Sequence, residues 1–198
     1  MSGIARSVVT GAFITEKGDR NPMALAATEL DAERGDLLAI LAQHRQFLRY
    51  TTRELTDEQA RARTTVSELT LGGLIKHVTH AERGWAAFIV EGPTALGDAS
   101  AMTEADFAAR QDGFRLLDGE TLAGVLDAYE ATAAATTELV RRLPDLDATQ
   151  PLPVAPWFPP SARWSARRAL LHIAAETAQH SGHADIIRES LDGQKTMG

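Results

Sequence analysis

Cysteine is absent from this 198-residue chain. That removes disulfides, thiolate metal ligands and a protein-borne thiol nucleophile together, so any sulfur chemistry must use an external thiol. Basic clusters are missing too. The formal net charge is −7, and only three lysines accompany seventeen arginines, with no basic block. Nucleic acid, whose phosphates need clustered Lys and Arg, is therefore not an expected partner, and an anionic membrane is disfavoured likewise. No apolar run reaches the length of a signal peptide or a membrane span, from which a cytoplasmic protein is expected. Aromatics make up only 6% of residues while alanines are many. With no strand pattern, nucleotide loop or internal repeat in view, packed helices are the expected architecture.

What is present has a helical period. From Thr28, read as an N-cap, Leu30, Leu37, Leu41, His44, Leu48 and Leu55 share one face. A second helix opens near Thr70, with Leu74, Ile75, Val78, Trp85 and Ile89 in phase, and stops at Gly92 and Pro93. Between Gly92 and Thr121 a loop with one short helix is expected, around TEADFAARQDGF. Thr121 caps a third long helix that closes at Arg141 and Arg142, and Ser165 caps a fourth that ends at Gly193. The segment before Ser165 holds six of the eight prolines and reads as an irregular connector. A loop of that length often borders a site, so Trp157, Phe158 and Trp164 are candidate pocket walls; covering a bundle end is the equal alternative. The expectation is an all-α four-helix bundle over 28–193, with an N-terminal arm (1–27) and a short tail (194–198).

The chemistry concentrates in LHIAAETAQHSGHADIIRE, residues 171–189. At about 100° per residue, His172, Glu176, His180 and His183 project within roughly 80° of one another, one stripe beside buried surface. Imidazole and carboxylate one turn apart make a ready pair of metal ligands, although structural polar residues hydrogen-bonded to one another remain an open alternative. A metal would need a further donor from another helix. His44, His77 and His80 lie near apolar faces, and His77, on the edge of the buried stripe of the second helix, is best placed. His44 reads as a satisfied core or rim residue.

SELTLGGLIKHVTHAERGW in the second helix and HIAAETAQHSGHADIIRE in the fourth, in that order and separation, resemble the DinB-like superfamily of metal-binding four-helix proteins. The branch they most resemble contains mycothiol-dependent maleylpyruvate isomerase and mycothiol S-transferase. The resemblance implies His77, Glu176 and His180 as ligands of a divalent metal (zinc, iron, nickel or manganese), with His172 and His183 as auxiliary or outer residues. It also implies a small thiol such as mycothiol as cosubstrate, an electrophilic partner substrate, S-transfer or isomerisation as the reaction, and a possible homodimer. Trp85, Trp157 and Trp164 are the candidate cosubstrate-binding residues. Two other readings stay open: a non-catalytic metal- or ligand-binding bundle in stress response, and a metal-dependent hydrolase with His80 or His183 as base.

Overall fold

The computed structural model describes residues 22–97 and 102–196. Its long helices are α1 (Pro22–Tyr50), α3 (Leu71–Glu91), α5 (Leu122–Arg142) and α6 (Ala166–Asp192), with short helices α2 (Asp57–Arg61) and α4 (Glu104–Asp112) between them. The protein is an all-α helical bundle. None of the described helices is long and apolar enough to cross a membrane. Three of the starts are capped where the sequence indicates: the side chains of Thr70, Thr121 and Ser165 accept hydrogen bonds from the backbone N–H groups of Gly73, Gly124 and Arg168.

Three features differ from the sequence reading. The first helix begins at Pro22 and not at Thr28, consistent with proline's fixed φ at a helix start and the good helix formers of ALAA behind it. It ends at Tyr50. Leu55 lies beyond it, past a turn in which Glu54 takes a positive φ of 59°. A Thr56–Gln59 capping box then starts the unforeseen α2. The proline-rich connector is not wholly irregular, because β1 (Thr149–Pro151) and β2 (Arg163–Ser165) pair antiparallel, Gln150 opposite Trp164. Most of the expected arm, residues 1–21, lies outside the described residues.

In the bundle α6 packs against α1 and α3, and α3 also against α5. The core is two apolar clusters, one around Leu48, Leu74, Ile75, Val78, Tyr129 and Ile187, the other around Leu37, Leu41, Phe88, Val140, Leu170 and Ile173. In each long helix the residues between its contributions to the two clusters include buried polar ones: Arg45, Glu82, Thr132, Thr136, Thr177 and Ser181. The hydroxyls of Thr132, Thr136, Thr177 and Ser181 bond back to carbonyls four residues earlier at 2.7–3.1 Å, which satisfies them inside the helix. Arg45, 9% exposed, meets Glu82, 1% exposed, through two guanidinium–carboxylate bonds of 2.5 and 3.1 Å. A polar waist therefore divides the bundle, and the candidate site opens at that level.

Candidate metal centre

Helix α6 presents His172, Glu176 and His180 at successive turns, and α3 packs against it with His77. One ligand atom each from His77, Glu176 and His180 lie within 4.8 Å of one another, and all three residues are half-buried. The His77 and His180 rings stand edge to face at 4.8 Å. Glu176 spans two histidines, with Oε1 3.7 Å from His172 Nε2 and Oε2 3.6 Å from His180 Nε2. Among the described residues this is the group of His, Asp and Glu side chains able to hold a metal ion.

Electrostatics favours donor over proton carrier. Burial, reinforced by the neighbouring His180, pushes the His77 ring down from 6.5 to about 4, so it is neutral with a free lone pair at pH 7. The His180 imidazole, helped by His172 and His77, holds the Glu176 carboxyl below its ordinary range and keeps it ionised. Two imidazoles and one carboxylate are a donor set that fits a divalent first-row cation, and three donors leave further coordination positions for other ligands. In the metal-free protein the same shifts act on folding. The unfolded chain takes up His77's proton at higher pH than the folded one, so this contribution to stability is complete above pH 6.5 and is lost as pH falls towards 4. The urea midpoint of metal-free protein should drop between pH 7.5 and pH 5, and His77→Gln should flatten that difference.

Phe114 supports His77. Their rings stack at 3.9 Å with 19° between planes. The turn that carries Phe114 sits directly on the first turn of α3, where a Cβ on Gly73 would stand 1.8 Å from the Phe114 carbonyl oxygen. Gly73→Ala must push that turn away. It should cost about 1–3 kcal/mol as an overpacking change, read by chemical unfolding, and weaken metal binding by freeing the His77 ring.

His77 and Glu176 open onto a cavity of about 850 Å³, and His80, Trp85, Trp157, Phe158 and His172 also line it. Trp164 stacks on Trp85 at 4.7 Å, and His172 stands edge-on to both indoles at 4.7 and 5.1 Å. Trp164 thus backs the wall that Trp85 forms. His80 is partly exposed on the cavity wall, and the partial burial of its ring, with the nearby Arg83 and Lys76 charges, lowers its pKa. His183 stands outside the cavity lining, its Nδ1 3.3 Å from His180 Nδ1. His44 stays at the rim of α1 with its ring against Phe47. Sequence reasoning missed Phe114, Asp106 and Arg110; the last two line the cavity from α4.

Fold and site together define an all-α bundle with a cluster of side chains able to hold a metal ion beside an aromatic-walled cavity. Residues 36–193 match the family model described as Mycothiol-S-transferase, and the chain belongs to that family, a group of mycothiol-related transferases. No curated protein matches the chain significantly.

Proposed function

We propose that this protein is a divalent-metal-dependent transferase that joins the sulfur of a small external thiol, mycothiol or a close analogue, to an electrophile held in the cavity. The convergence of His77, Glu176 and His180 at the wall of a pocket large enough for two substrates carries this reading. Those three residues would hold the metal, with zinc, iron, nickel or manganese all suited to the donor set. When bound, the cation supplies the positive charge that favours the deprotonated thiol at neutral pH.

The protein's own groups do the rest. Trp85, backed by Trp164, and Phe158 exclude water and give an apolar electrophile a surface to lie on. His172 stands beside Glu176, its Nε2 3.7 Å from Oε1, and would help orient that carboxylate. The proton that the thiol gives up on deprotonation would pass to His80 on the cavity wall and return to the product oxygen or leaving group. The electron pair of the bond broken in the electrophile departs with its leaving group, or stays on oxygen when an epoxide opens.

Elemental analysis of protein purified without added metal should find close to one divalent ion per chain. Turnover with mycothiol and an epoxide or a thiol-reactive fluorophore should then vanish on chelation and return with metal. The absence of a metal-dependent adduct with every low-molecular-weight thiol would end this reading.

A further inference from the structure

The cavity has further polar lining on α4 and, with Trp157, an exposed aromatic on the connector. Trp157 lines the cavity yet is 59% exposed, and its ring partner in the described residues is the edge of Phe158 at 6.1 Å. One turn apart on α4, Asp106 and Arg110 line the same cavity. Asp106 Oδ2 accepts from the backbone N–H and hydroxyl of Thr103 at 2.8 and 2.7 Å, which holds the carboxylate in place. Its Oδ1 has no hydrogen bond among the described residues. Arg110 forms no ion pair among them either, its contact being Met102 Sδ at 3.9 Å.

A cavity lined by an exposed indole, one carboxylate and one guanidinium has a definite chemical preference. The indole face attracts the C–H face of a sugar ring, while carboxylate and guanidinium between them accept from and donate to neighbouring hydroxyls. Their charges offset each other, so this wall selects for no net charge. It therefore suits a neutral polyol better than a peptide thiol carrying two free carboxylates. Mycothiol carries its thiol on an acyl group that caps the amine of a glucosaminyl-inositol, which leaves the polyol neutral.

We propose that Trp157, Asp106 and Arg110 form a sugar subsite that seats the polyol portion of the thiol cosubstrate, the indole stacking on a sugar face and the two charged side chains bonding its hydroxyls. The assignment of the cosubstrate rests on the transferase reading above; the subsite itself has an independent readout. All three residues are exposed on the bundle surface, so substituting them leaves the core intact.

The test titrates the purified protein with thiol-free N-acetylglucosaminyl-inositol, whose acylated amine is neutral, by ligand-detected NMR, beside mycothiol turnover. Wild type should bind the sugar saturably, and Trp157→Ala and Arg110→Ala should each weaken binding at least about tenfold. The KM for mycothiol should rise by a similar factor, with kcat changed far less and metal content unchanged, the pattern of lost uniform binding. Trp157→Phe should recover part of the loss. A wild type that turns over mycothiol but does not bind the sugar, or a Trp157→Ala variant with unaltered KM, overturns the subsite and leaves the transferase reading standing. Sugar binding that depends on Trp157 without any thiol turnover supports the subsite and overturns the transferase reading. The absence of both overturns both.

Discussion

Replacing His180 by alanine is expected to weaken metal binding by more than about 100-fold and to abolish turnover with it. Losing an outer partner of a metal ligand typically costs about 10–100-fold, and losing one of three protein donors must exceed that. His180 also lies against both other candidate donors: its ring is 4.8 Å from that of His77, and its Nε2 is 3.6 Å from Glu176. His183→Ala, which removes the partner of His180 Nδ1 and leaves all three donors in place, should fall within the outer-partner range. Glu176→Gln keeps the shape and removes the charge, and so measures how much of the affinity is electrostatic. Chelator competition on the purified variants reads all three. Equal affinities in wild type and His180→Ala would show that no ion is held there.

The second large effect lies in the polar waist. Glu82→Ala leaves the Arg45 guanidinium buried without its counter-charge, a change that costs about 3–5 kcal/mol. For a chain of this size that corresponds to a fall in Tm of roughly 10 °C. Removing both charges, as in Arg45→Met with Glu82→Leu, should recover most of the loss, because a well-packed apolar pair avoids the desolvation of two ions. Thermal unfolding of the two variants distinguishes a pair that stabilises from one that is merely tolerated. A Glu82→Ala protein within 1 kcal/mol of wild type by denaturant titration would show that water or another group reaches Arg45.

The elements that sequence disclosed are those whose signals are local. Thr70, Thr121 and Ser165 announce helix starts because a cap bonds to a backbone N–H three residues on. The stripe of His172, Glu176, His180 and His183 is visible because helical period alone aligns it. His77 could be nominated as the facing donor by its place on the edge of a buried stripe, while its approach to α6 required the packed bundle. The missed features depend on distant partners. Nothing near Phe114 in the chain signals a stack on His77, 37 positions earlier; the interaction exists because Gly73 lets the turn after α4 lie against α3. Arg45 and Glu82 each look like an ordinary charged helical residue until the bundle closes over both. The β1–β2 ribbon pairs three-residue segments among prolines, too short for an alternating pattern to register.

Helix α4 contributes no buried residue, although Asp106, Ala109 and Arg110 border the cavity. Exchanges at solvent-facing positions outside the Thr103–Asp106 cap usually shift folding free energy by no more than about 0.5 kcal/mol. The rim that screens incoming molecules can therefore drift between relatives, or be redesigned in the laboratory, while the reactive interior and its scaffold stay as they are. Directed evolution aimed at new electrophiles has its safest starting ground at Ala109, which borders the cavity without seating the thiol or capping the helix.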